Sequence, residues 1–228
     1  MNAWLEKLYE TFIEKAYYTL MLEGLKNTAI ITLGALLIGV VIGTMVAVIK
    51  YYAEDSAALR PLAFLCDIYV TVIRGIPVVV LLMIFFYLIL VSANGVTVGI
   101  IAFGINSGAY MAELIRSGLS AVDSGQLEAG RSLGMSKSQA MRRVILPQAV
   151  RYILPAICNE FIALLKETSV AGYVAVTDLT RAGNLVRNNT YDAVNPLMIV
   201  AVTYLILVVV LTWLLKCLER KLAKDAKS

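Results

Sequence analysis

The chain has 228 residues, 60% of them hydrophobic and 16% charged, with a mean hydropathy of +0.79 and a formal charge of +4. Soluble domains carry about 25% charged and about 45–50% apolar residues, so the composition assigns the chain to a membrane. It contains no histidine, which excludes imidazole acid–base chemistry, imidazole-dependent serine or cysteine triads and zinc sites of the HExxH kind.

Residues 1–20 do not read as a cleavable signal peptide, because Glu6, Glu10, Glu14 and Lys15 interrupt any apolar core. Leu5, Leu8, Phe12, Ile13, Ala16 and Tyr17 recur at helical spacing, with Trp4 and Tyr9 alongside. The pattern predicts an amphipathic segment, lying at the outer membrane interface or packed on the protein itself.

The first charge-free run covers residues 27–49, between Lys26 and Lys50. The next, residues 75–112, is too long for one crossing of about 20 residues. It divides at the polar turn Ser92-Ala93-Asn94-Gly95. This predicts one helix from Leu62 to Val91 and another from Val96 to Ser117. Pro77, in Arg74-Gly75-Ile76-Pro77, removes a backbone donor and predicts a kink, either a gate hinge or a static bend. A fourth span runs from Ile153 to Val176 and contains Glu160, Lys166 and Glu167; a fifth covers 193–215, followed by a basic tail over 218–228. Cys66, Cys158 and Cys217 stand singly and read as packing residues. The fold class is therefore all-α, with one membrane domain of five helices over 21–217.

Between the third and fourth spans lies a polar insert, about 120–150, with Arg131, Lys137, Arg142 and Arg143. Its punctuation predicts two short capped helices. Asp123 with Gln126 and Ser136 with Gln139 are spaced as capping boxes, and Gly134 suits the left-handed position that ends a helix. The second helix is expected to stop before Pro147. A segment capped this well suits docking by a soluble partner; a self-packed loop is the alternative.

Five crossings put the termini on opposite sides. Lys50, Arg60, Arg74, Arg116, the insert cations and the C-terminal lysines then share one side, while Lys7, Lys15, Lys26, Arg181 and Arg187 share the other. Cytoplasmic segments carry the excess of Lys and Arg, so the expected orientation is N-out and C-in, with the insert in the cytoplasm.

The insert resembles the Glu-Ala-Ala motif of ATP-binding-cassette (ABC) importer permeases. Glu128, Ala129, Gly134, Leu146 and Pro147 match it in spacing, with departures at Gly130, where the family prefers Ala, and at Val144, where it prefers Ile. "YVTVIRGIPVVV" (69–80), "SGAYMAELIRSGLSAVDSGQLEAGRSLGM" (107–135), "NEFIALLKETSV" (159–170), "TDLTRAGNLV" (177–186) and "GLKNTAIIT" (24–32) are similar, in order, to permeases for polar amino acids of the histidine/glutamine type. The resemblance covers roughly residues 20–215. It implies a multi-pass permease of the bacterial plasma membrane that works as a dimer with a second copy or a paralogue. Its partners would be ABC ATPase subunits, an extracellular or periplasmic binding protein, the amino acid and the lipid bilayer, with no nucleic acid. Glu128, Ala129, Gly130, Gly134, Leu146 and Pro147 would form the coupling helix. The chain has no Gly-x4-Gly-Lys-Ser/Thr loop, so it has no cofactor of its own; ATP and magnesium would sit in the partner, and the chain is not itself an enzyme.

Glu160 lies about halfway through the fourth span, where a charge costs roughly 2.5–3.5 kcal/mol on insertion scales and marks a cavity or an ion pair. Lys166, six residues on, does not face it on a helix. Asn106, Ser107, Tyr110 and Glu113 on the third span, with Asn159 and Glu160 on the fourth, are enough to line a site for a small zwitterion. The resemblance implies substrate contacts on these same two helices. Gly39 and Gly43, and the pair Gly104 and Gly108, read as helix packing. The competing functions are an autonomous secondary transporter or channel for a zwitterionic solute, and a membrane enzyme. Secondary transporters often carry inverted repeats, and none is visible here; the enzyme lacks a clustered nucleophile and base.

Overall fold

The computed structural model describes residues 6, 9–54 and 56–224, with 221–224 described as backbone alone. The regular elements among the described residues are all helices, joined by turns, with no strand. Helix α1 spans Tyr17–Ala53, α2 Arg60–Gly75, and α3 Val78–Ile84 with a π-helical turn over Phe85–Ile89. Helix α4 spans Gly95–Ser120, α5 Ser124–Ser132 and α6 Lys137–Ala140; a π turn over Met141–Ile145 leads into α7, Leu146–Glu167. A 3-10 segment, Thr168–Val174, precedes α8, Leu179–Thr190, and α9, Asn195–Lys224.

Four of these helical stretches are long and apolar enough to cross a membrane: Tyr17–Ala53, Gly95–Ser120, Lys137–Val174 and Asn195–Arg220. Helices α2 and α3 make a fifth when counted as one span bent sharply at Ile76-Pro77. The kink expected at Pro77, within the span from Leu62 to Val91, is thus a full break between two helices. Pro77 adopts ψ 133°, outside the helical region, and a proline also disfavours helical backbone at the residue before it.

A second expectation fails. The helix that should stop before Pro147 runs on through both Pro147 and Pro155. The π turn at Met141–Ile145 immediately precedes Pro147. Its wider hydrogen-bond ring opens the ladder where the proline N–H is missing, which relieves the clash that would end a regular α-helix.

The chain divides into two compact units. Met1–Leu37, Ile76–Gly104 and Ala163–Leu211 form the first. Its core joins Ile31 and Ala35 of α1, Leu82 of α3, Phe103 of α4, Leu164 of α7 and Val174, all buried. Phe12, Met21, Leu179, Val186 and Val200 form a second cluster. The N-terminal amphipathic pattern thus resolves in part: Glu10–Glu14 is a π turn, Ala16 has φ 55°, and Phe12 packs on the protein itself. Trp4, Leu5 and Leu8 lie outside the described residues. Asp178 caps α8 by accepting from the N–H groups of Thr180 and Arg181, and the Thr28 hydroxyl accepts from Leu179 N–H at 3.1 Å.

Ile38–Gly75, Ile105–Ile162 and Thr212–Ser228 form the second unit. Val46 of α1, Cys66 and Val70 of α2 and Ala112 of α4 are its buried cluster, with Ile42 and Tyr69 against it. Glycines let the backbones approach closely. A Cβ at Gly43 would fall inside contact distance of Met111 Cβ, and one at Gly39 would stand 2.8 Å from Ser107 Oγ. The Tyr69 hydroxyl donates to Ile105 C=O at 2.7 Å, tying α2 to α4. This unit carries both the insert and the polar positions of the third and fourth spans.

Candidate functional site

The insert is two helices locked at a corner. Asp123 caps α5 by accepting from Gly125 N–H at 2.7 Å. The expected reciprocal contact with Gln126 does not form: the cap closes one residue earlier, and Gln126 Oε1 instead accepts from Gln148 at 3.3 Å. Gly134 has φ 81°. Its N–H bonds to Arg131 C=O at 2.9 Å, and Met135 N–H reaches back to Gly130 C=O at 3.1 Å. These two bonds are the Schellman pattern, which only a residue at ease with positive φ completes without strain. Ser136 and Gln139 then form a full capping box at the start of α6.

Gly130 is buried, and a Cβ there would stand 3.1 Å from Ala140 Cβ. The departure from the family's alanine therefore lets α5 close on α6. Lys137 fixes α6 to the end of α1, with its Nζ 4.8 Å from the Tyr51 ring centre and 3.8 Å from Glu54. Held this way, the corner presents Glu128, Ala129, Gly134, Leu146 and Pro147 outward. Leu133 stands 80% exposed at its tip. Sequence reasoning did not single out Leu133; its place just before a helix-ending glycine was the available signal.

The six polar positions of the third and fourth spans do not share one surface. Asn106 is 3% exposed and Ser107 fully buried. The Ser107 hydroxyl donates to Glu160 Oε1 at 3.2 Å, joining α4 to α7 beside the close pass of Gly39. Asn159 is exposed. Tyr110 and Glu113, one and two turns on from Asn106, instead line a polar cavity of about 510 Å³ with Lys50, Asp67, Thr71 and Arg74. Lys50 Nζ lies 2.6 Å from Asp67 and 3.8 Å from Glu113. The Arg116 guanidinium bonds Glu113 Oε2 through Nη2 at 2.8 Å and Nε at 3.2 Å. Arg74 stacks over the Tyr110 ring at 5.1 Å from its centre.

Lys50 and Asp67 were absent from the sequence-derived site. Their signal was helical spacing: Asp67, Thr71 and Arg74 fall at i, i+4 and i+7, one polar face on an apolar helix. Among the described residues no cluster of three or more Cys, Asp or Glu is arranged to hold a metal ion.

Comparison with known proteins agrees with this architecture. The family model described as binding-protein-dependent transport system inner membrane component matches residues 39–224. The arginine transport system permease protein ArtQ of Bacillus subtilis is 35% identical over 209 residues, covering 90% of this chain and 93% of its own. The putative glutamine transport system permease protein GlnP of Rickettsia typhi is 34% identical over 206 residues, covering 89% and 92%. A solved structure titled as an amino acid ABC transporter with histidines is 39% identical with a TM-score of 0.84, covering 92% of this chain and 98% of that one. The MetNI methionine ABC transporter, at 24% identity and a TM-score of 0.77, shares the fold. A helical membrane domain with a rigid polar corner, matched over this length, identifies the chain as a member of the binding-protein-dependent transport system inner membrane component family, the permease subunits of ABC importers.

Proposed function

We propose that this chain is the permease subunit of an ATP-driven importer that carries polar amino acids inward across the bacterial plasma membrane. The N-terminus lies outside and the C-terminus inside, which places the insert in the cytoplasm with most of the basic residues. There it seats in a separate ATPase subunit, which supplies ATP and magnesium. A second permease subunit and an extracellular binding protein complete the assembly. Two relatives named for arginine and glutamine transport support the substrate class.

One observation carries this reading: Leu133, 80% exposed at a corner closed by a Schellman turn and a capping box. Burying a leucine is favourable by about 1.5–3 kcal/mol, and a rigid corner loses little entropy on docking. Glu160 on α7, held by the buried Ser107 hydroxyl, takes the substrate ammonium, and Tyr110 and Glu113 line the polar cavity of the membrane path. In proteoliposomes with ATPase and binding protein, the wild type should accumulate amino acid only with internal ATP. Leu133→Asp should insert normally and lose the ATPase on purification. Accumulation by the chain alone without ATP would establish the competing secondary transporter or channel.

A further inference from the structure

Charges around the cavity of the second unit are unevenly matched. Asp67 is neutralised by Lys50 at 2.6 Å and Glu113 by Arg116 at 2.8 Å. Arg74 is the third cation for these two carboxylates: it lies over the Tyr110 ring face and acts on Glu113 at longer range, but Glu113 is already held by Arg116 and no ion pair to Arg74 forms within 4 Å among the described residues. A ring face attracts a cation but accepts no hydrogen bond along the plane of the guanidinium, whose five N–H donors lie in that plane. Arg74 sits 14 residues beyond Arg60 on α2, about 21 Å along the helix. Its last-turn position is favoured by the helix dipole, but no ion pair within 4 Å among the described residues engages its in-plane donors.

We infer that Arg74 is a specificity residue that receives the α-carboxylate of the translocated amino acid in this cavity at the end of α2. This rests on the importer reading above and deepens it. The cavity holds about 510 Å³, room for a small zwitterion. Arginine presents two parallel donors that match a carboxylate, which lysine does not. Tyr110 holds the guanidinium flat from one side, leaving its edge for the ligand. Glu113, one turn after Tyr110 on α4, lines the same cavity and supplies a carboxylate for the ammonium end. Thr71, one turn before Arg74, lines the same wall with a hydroxyl.

The test is equilibrium binding to the purified permease–ATPase complex without binding protein, which would otherwise dominate selection. The probes are radiolabelled L-glutamine and L-arginine, each competed by its own α-carboxamide, which keeps the ammonium and removes the negative charge. Wild type should prefer the acid to the amide by roughly ten- to a hundredfold, the range for hydrogen bonds to charged groups. In Arg74→Gln, affinity for the acid should fall to that for the amide, and the preference should collapse to near unity. Arg74→Lys, which keeps the charge and serves where the glutamine variant fails to fold, should retain an intermediate preference. A folded Arg74→Gln that still prefers the acid as wild type does overturns the inference. So does a lowered melting temperature with preference intact, which assigns Arg74 to helix packing. A wild-type complex that binds neither amino acid, yet forms with its ATPase, overturns the substrate class itself and is read separately from any variant.

Discussion

Replacing Gly134 isolates backbone conformation from volume. Gly134 has φ 81°, and a Cβ added there would meet nothing within 4 Å. A substitution therefore costs nothing in packing and everything in backbone strain. Left-handed backbone disfavours an L-residue by about 1–2 kcal/mol, least for Asn and most for β-branched side chains. The strain opposes the two bonds that close the corner, Gly134 N–H to Arg131 C=O and Met135 N–H to Gly130 C=O. A bias of about 2 kcal/mol is roughly thirtyfold in population, and apparent affinity for a partner falls with the fraction of molecules holding the competent shape. Gly134→Val should thus weaken ATPase binding by up to about thirtyfold, Gly134→Ala by several-fold, and Gly134→Asn hardly at all. Asn and Val are similar in size, so the pair separates strain from bulk. Binding of the purified ATPase to permease in nanodiscs gives the affinities, and ATPase stimulation by loaded binding protein gives the functional counterpart. Val at wild-type affinity, or Asn as damaging as Val, would refute the reasoning.

Glu160→Gln keeps the shape that accepts the Ser107 hydroxyl and removes the charge, so uptake should fall ten- to a hundredfold with thermal stability unchanged; a drop in melting temperature alone would make Glu160 structural. Gly43→Ala places a Cβ against Met111 Cβ and the α4 backbone and should destabilise by about 1–3 kcal/mol; an unchanged melting temperature contradicts this packing. Single cysteines at positions 188 and 134, in a background lacking Cys66, Cys158 and Cys217, should react with an impermeant maleimide in intact cells at 188 and not at 134; the reverse pattern inverts the orientation.

Several features of this protein were legible along the chain itself. The apolar runs, the polar turn at residues 92–95, the Ser136–Gln139 box and the left-handed Gly134 are local signals, each set by residues within one or two turns. The order of motif blocks pointed to the family on the same local basis. Tertiary structure decided the rest. Pro147 reads as a stop because the rule concerns a regular α-helix, and the π turn before it changes the local hydrogen-bond ring. Gly130 stood out in the sequence only as a departure from the family's alanine, yet it closes against Ala140, ten residues away across the corner. Asn106, Tyr110 and Glu113 lie on one face of α4, but Asn106 is enclosed while Glu113 meets Lys50 from α1. Spacing within a helix determines which side chains share a face. Which neighbour covers that face depends on how closely other helices approach, and here glycines at 39 and 43 set that distance.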